Sequence, residues 1–190
     1  MKVILASGSP RRSEILKLAG YEFDVIPSSA DETMGSGELC DNVMELAGRK
    51  AREVASGHPA ALVIGADTVV SCGGEIMGKP GDGEDAVRML KELSGKRHIV
   101  YTGVCVCCVE RGIEHRFYDA TEVEFYEMDG GEISKYVASG EPMDKAGAYA
   151  VQGMGSVFVK GIEGDFFNVM GFPISKFYHE MKRLGIDPRA

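Results

Sequence analysis

Val3-Ile4-Leu5-Ala6-Ser7-Gly8-Ser9-Pro10-Arg11-Arg12-Ser13 begins with three apolar residues of strand type and passes through small residues to a proline. Ile15-Leu16-Lys17-Leu18-Ala19-Gly20 follows at helical spacing and stops on glycine. Ser9 stands at an N-cap position and Pro10 at the first helical residue, where its missing N–H and fixed φ cost nothing. The stretch reads as strand, small-residue loop and helix start, the opening of an α/β fold. A helix N-terminus carries unpaired N–H groups and about half a positive charge. Arg11 and Arg12 run against that dipole. Either they are simply solvated, or a bound anion offsets the penalty.

The rest of the chain sets the limits. Its 190 residues suffice for one domain, residues 1–190, with a sizeable core. No apolar run approaches the ~20 residues of a membrane helix, so no membrane partner is expected. One lysine leads directly into a strand, which is not a signal-peptide pattern, and a cytoplasmic location follows by default. Five cysteines, an odd number, fit reduced thiols. Cys105 and Cys108 have C-x-x-C spacing inside a long apolar run, but positions three apart on a strand face opposite ways and cannot share a metal. The net charge of −8 argues against nucleic acid as a partner. It does not argue against a small phosphorylated ligand, because a cation ~4 Å from a phosphate contributes on the order of 4 kcal/mol before desolvation.

Further along, Phe23–Pro27 reads as a short strand and 28–38 as a loop carrying Asp31-Glu32. Val43, Leu46, Ala47, Ala51 and Val54 mark a helix ending near Ser56-Gly57. Lys50 lies beside that stripe, either snorkelling along the core edge or pointing into a cleft. Ala61–Val70 is the most apolar run and reads as a central strand interrupted by Asp67. A carboxylate in such company is paired, protonated or metal-bound, and nothing nearby in sequence names its partner. Gly73 to Lys79 has P-loop spacing, but Pro80 stands where Ser or Thr is required and the flanks read as a hairpin. Lys79 is then a phosphate ligand on a rigid loop or an exposed turn residue.

Asp82 and Asp85 start a helix through Leu93, and Ile99–Val109 pairs with a strand from Ile113 to about Tyr126. Asp129 caps a short helix, and Gly140–Gly147 is a charged loop. Ala148–Gly153 and Ser156–Val159 read as two short strands, Gly161–Gly164 as a turn, and a last helix follows Pro173. The pattern is α/β, a mixed β-sheet with flanking helices, without repeat or linker.

Ser7-x-Ser9-Pro10-Arg11-Arg12, Asp31-Glu32, Lys50, Gly65-Ala66-Asp67-Thr68, Gly78-Lys79-Pro80 and Asp144-Lys145-Ala146-Gly147, in this order, resemble the Maf family of nucleoside triphosphate pyrophosphatases. The likeness runs through Gly164-Asp165-Phe166-Phe167-Asn168 to Pro173. Phe166 departs from it, standing where the family usually has tyrosine. The resemblance implies two lobes around a deep cleft, similar to inosine triphosphate pyrophosphatases, with a homodimer as an assembly seen in the family. It implies hydrolysis of the α–β phosphoanhydride to a nucleoside monophosphate and pyrophosphate with Mg²⁺ or Mn²⁺. Arg12, Thr68 and Gln152 resemble the branch acting on dTTP and UTP, which extends the substrate class to modified pyrimidine triphosphates.

Elementary chemistry agrees with that assignment. Magnesium uses one or two carboxylates plus substrate phosphates, which suits Glu32 and Asp67. Asp67 is then a metal ligand or the general base for water, two roles the residues alone do not separate. Arg11, Lys50 and Lys79 would clamp phosphate oxygens. Gln152 offers the donor and acceptor that match the imide edge of uracil or thymine. Ser7, Asp144 and Lys145 are further substrate-binding candidates or structural turn contacts. A non-catalytic nucleotide-binding regulator of cell division and septum formation is the other function class.

Overall fold

In the computed structural model, which describes residues 1–187, strands and helices alternate from the start of the chain. They are β1 (Val3–Leu5), α1 (Pro10–Leu18), β2 (Asp24–Val25), α2 (Leu39–Gly57), β3 (Leu62–Cys72), β4 (Glu75–Met77) and α3 (Gly83–Leu93). There follow β5 (Arg97–Cys108), β6 (Ile113–Phe125), α4 (Gly130–Ala138), β7 (Val159–Glu163), α5 (Phe166–Met170) and α6 (Ile174–Arg183). The sheet order is β2-β1-β3-β5-β6-β7, with β4 attached to β3. β1 is parallel to β2 and β3, whereas β4 and β7 are antiparallel to β3 and β6, so the sheet is mixed as expected. β3 turns into β4 through Gly73 and Gly74 at φ +58° and +89°, the two left-handed residues of a tight hairpin. That geometry excludes the P-loop independently of Pro80.

The chain divides into two compact units. The first comprises Met1–Asp67, Thr102–Asp119 and the chain from Gly171 onward. Ile4, Ala6, Ala47, Ala51, Val54, Val63, Cys105 and Cys107 form one core within it. α2 lies unusually close to the strands there. A Cβ at Gly65 would collide with the Ala47 carbonyl and sit 2.8 Å from the Ala51 nitrogen; one at Gly103 would collide with Val43 and sit 2.7 Å from the Met44 nitrogen. Glycine in a strand interior marks such close backbone approach. The cysteines of β5 are free and buried, and Cys108 faces the Pro59 carbonyl while Cys105 and Cys107 join the core.

The second unit comprises Thr68–Tyr101 and Ala120–Met170. Val70, Met77, Leu90, Leu93, Phe125, Ile133, Tyr149 and Phe158 belong to its core. Asp82 caps α3 through the Asp85 amide, and Asp129 with Glu132 closes a full capping box on α4. Buried in this core, His98 meets the Tyr149 hydroxyl at 2.9 Å and stands edge-on to Phe125. Burial pushes its imidazole down from 6.5 to about 4. Between those values the unfolded chain binds a proton that the folded chain refuses. Stability from this group is therefore complete above pH 6.5 and falls by roughly 3 kcal/mol as pH approaches 4. Urea unfolding of the wild type and His98→Gln between pH 7 and 4.5 should show a shallower pH slope in the variant; equal slopes would refute the assignment.

Three expectations are corrected. Ala148–Gly153 is not a strand: all of Ala148, Tyr149, Ala150 and Val151 are buried, and the Ala150 amide bonds to the Tyr136 hydroxyl instead of a neighbouring strand. Met154–Phe158 is a 3₁₀ helix, so the strand starts only at Val159 and runs through Gly161, moving the turn to Gly164 at φ +129°. α5, five residues long, is too short to show a helical period in sequence.

Candidate active site

The close approach of α2 to β3 decides the first cluster. Gly65 and Asp67, two apart on β3, share the face on which α2 lies. Lys50 precedes Ala51, the residue α2 presses against Gly65. Its Nζ lies 2.6 Å from Asp67 Oδ1 and 2.6 Å from Glu32 Oε1. The Lys50 and Asp67 side chains are only 10% and 14% exposed, whereas Glu32 is 63% exposed. The snorkelling reading of Lys50 is corrected: its tip turns inward to the partner that sequence did not name. Removing one member of a buried ion pair costs about 3–5 kcal/mol.

Two side chains of α2, four residues apart, grip the loop on either side of Glu32. Before it, Glu53 accepts hydrogen bonds from the Ser28 and Ser29 hydroxyls and from the Ser29 and Ala30 amides, the last two at 2.9 and 3.0 Å. After it, Arg49 donates to the Thr33 carbonyl at 2.8 Å. The serine hydroxyls hold the Glu53 carboxyl below its usual range.

α1 begins at Pro10 with no acid in its first turn. Arg12 donates from Nε to the Gly171 carbonyl at 3.0 Å and from Nη1 to Ser7 Oγ at 2.9 Å, and Ser7 also accepts from the Ser9 amide. Burial of the guanidinium lowers the Arg12 pKa, partly opposed by the charges of Asp67 and Glu32, while Arg11 adds to the lowering. Ser7, Arg12, Glu32, Lys50 and Asp67 are thus linked by contact or charge within the first unit, and Arg11 stands beside Arg12 at the start of α1. Three cations with two acids suit a phosphate and its counter-ion.

Oxygen donors on separate segments, Glu32 and Asp67, suit a hard divalent cation that takes one or two carboxylates and fills the remaining positions with waters and phosphates. Among the described residues no three His, Cys, Asp or Glu side chains group into a protein-only cage.

The second unit holds Thr68, Lys79, Asp144, Lys145 and Gln152. Lys145 Nζ meets Asp144 Oδ1 at 2.5 Å and the Glu141 carbonyl at 2.8 Å. The Gly147 amide donates to the Gly78 carbonyl at 3.0 Å, tying the Lys145 loop to the segment before Lys79. Lys79 and Gln152 are exposed, and no hydrogen bond or ion pair engages either side chain among the described residues. Thr68, partly buried, follows Asp67 on β3 and faces the opposite side of the strand. Sequence reading gave no role of their own to Arg49, Glu53 and Glu141, and took Gly65 only as part of the Gly65-Ala66-Asp67-Thr68 motif. Of these only Gly65 carried a signal, a glycine inside an apolar strand.

The family model for Maf-like proteins matches residues 2–184. A protein of Thermococcus kodakarensis named dTTP/UTP pyrophosphatase is 53% identical over 186 residues, covering 97% of each chain. One of Bacillus cereus with the same name is 49% identical over 187 residues, covering 98% of this chain and 97% of its own. Among solved structures, the Staphylococcus aureus Ham1 protein matches with a TM-score of 0.55 at 14% identity, covering 97% of this chain and all of that one, a likeness of fold. Matching that family model over residues 2–184 and sharing about half its residues with those relatives, the chain belongs to the Maf family.

Proposed function

We infer that the chain is a hydrolase that cleaves dTTP and UTP, and modified pyrimidine triphosphates, between the α and β phosphorus atoms. The observation that carries this reading is the Glu32–Lys50–Asp67 arrangement, in a chain about half identical to named dTTP/UTP pyrophosphatases. Water attacks the α phosphorus, the bond to the bridging oxygen breaks, pyrophosphate leaves, and the nucleoside monophosphate remains. Asp67 has one oxygen on Lys50, and Oδ2 is the atom to take the water proton. Lys50 keeps Asp67 oriented, and with Arg11 it lends positive charge to phosphate oxygens as negative charge accumulates on the leaving pyrophosphate; in the second unit, Lys79 and Lys145 are the phosphate contacts that the likeness to the Maf family suggests. Glu32 and Asp67 would hold Mg²⁺ or Mn²⁺, which supplies charge neutralisation for the triphosphate. Ser7, Asp144 and Thr68 complete the substrate contacts, Arg12 shapes the Ser7 loop, and Gln152 selects the base.

Paired carboxylates set beside phosphate-binding cations favour the enzyme over a non-catalytic nucleotide-binding regulator, which has no use for a water-activating acid. The test is a panel of dTTP, UTP, CTP, dGTP and ATP scored for pyrophosphate with Mg²⁺, with Mn²⁺ and with EDTA. Pyrophosphate should come from dTTP and UTP in roughly tenfold or greater preference, the worth of about one well-made hydrogen bond to the base. It should stop with EDTA. Release of inorganic phosphate, or no turnover with either metal, would overturn the reading.

A further inference from the structure

Gln152 stands in a loop without regular structure, yet its neighbours on both sides are fixed. The Ala150 amide donates to the Tyr136 hydroxyl at 3.0 Å, and that hydroxyl donates to Glu141 Oε2 at 2.7 Å. On the other side, the Met154 amide donates to Glu141 Oε1 at 2.9 Å and the Gly155 amide to Oε2 at 3.1 Å. One carboxylate, with one phenol, closes the loop around Val151, Gln152 and Gly153. The packing leaves no slack. A Cβ at Gly153 would lie 2.6 Å from Glu141 Cδ, and one at Gly155 2.6 Å from the Tyr136 oxygen. Burial works to raise the Glu141 carboxyl, but these donors outweigh it and hold it below its usual range. The Gln152 side chain itself is exposed and unengaged among the described residues.

We propose that Glu141, acting with Tyr136, is a specificity-positioning residue: it locks the backbone on both sides of Gln152, so that the side chain reaches the imide edge of a pyrimidine from one fixed position. The inference rests on Gln152 being the base-selecting residue. A glutamine on a loose loop stands at varying distances and angles from the base, and its hydrogen bonds to the N3 and O4 edge that tells uracil from cytosine are then weak. The locked loop removes that freedom before the nucleotide arrives, which is how preorganisation converts into selectivity.

The experiment compares Glu141→Gln, Tyr136→Phe, Gln152→Ala and Glu141→Gln/Gln152→Ala on UTP and CTP, whose bases differ only at N3 and C4. Inhibition by inorganic pyrophosphate is measured alongside. Glu141→Gln keeps the shape but presents N–H to donors, and it should lower the UTP-to-CTP ratio of kcat/KM by roughly tenfold, chiefly through KM. Tyr136→Phe should shift the ratio the same way and by less. Pyrophosphate inhibition should stay within about twofold of wild type in both, since a phosphate-only ligand does not meet Gln152. In the Gln152→Ala background, Glu141→Gln should change the ratio no further, because the two act through one side chain.

Equal losses on UTP and CTP, or additive effects in the double variant, would overturn the positioning role. A ratio that falls in Gln152→Ala but not in Glu141→Gln sinks this inference alone. A ratio unmoved by Gln152→Ala sinks the base-selecting assignment beneath it. Should Glu141→Gln not fold, Tyr136→Phe, which removes a single oxygen, decides the matter by the same ratio.

Discussion

Asp67→Asn is expected to lower pyrophosphate release from dTTP by at least about 10²-fold, the lower end of what a positioned proton acceptor contributes, while the protein stays folded. The fold should survive because asparagine has the same shape and leaves Lys50 an oxygen acceptor at the position of Oδ1. Lys50 also keeps Glu32 as counter-ion, so its ammonium is not stranded. What is lost is the negative charge and the capacity to take a proton. A titration with Mg²⁺ separates the two roles open to this residue. A rate that returns at high divalent concentration assigns Asp67 to cation affinity; a loss that persists at saturation assigns it to proton transfer. Turnover near that of wild type would refute any catalytic part for Asp67.

The second large effect lies in a residue with no side chain. Gly65→Ala is expected to destabilise the protein by about 3 kcal/mol, the upper range for an overpacked core, or roughly 6–12 °C in Tm for a chain of this size. The backbone at Gly65 is not left-handed, so the cost is one of volume. The added methyl would meet the Ala47 carbonyl and the Ala51 nitrogen, which belong to a helix backbone and cannot rotate aside as a flexible side chain would. α2 would have to retreat from β3 and carry Lys50 away from Asp67. Activity measured well below Tm should therefore fall as well. Gly57→Ala, at the end of the same helix with nothing within 4 Å of its new methyl, serves as the control and should change stability by no more than about 1 kcal/mol. A Gly65→Ala protein as stable as that control would show that α2 does not depend on close contact.

Long periodic elements were legible from residues alone. The α2 stripe, the Asp82 and Asp129 caps, the hairpin at Gly73-Gly74 and the mixed α/β alternation all stand as read, because propensity, capping and turn chemistry act over a few neighbouring residues. Ala148–Phe158 was misread for the complementary reason. Ala148, Tyr149, Ala150, Val151 and Phe158 are all buried, and the Ala150, Met154 and Gly155 amides are claimed by Tyr136 and Glu141, thirteen or fourteen residues away, so the local pattern carried no trace of the partners. Lys50 shows the same gap. Its position on the helix allowed two readings, and the deciding neighbour was on another strand.

By itself, then, the sequence determined the alternation of strands and helices, the acidic surface and the identity of the polar side chains available for chemistry. Only the tertiary structure decided that Lys50 joins Asp67 to Glu32, that two glycines bring α2 against β3 and β5, and that Glu141 secures the loop bearing Gln152. The reason is one of range. Backbone preferences are settled among residues a turn apart, whereas a buried charge or an amide outside regular structure finds its partner wherever the packed chain brings one, and no spacing along the sequence records that distance.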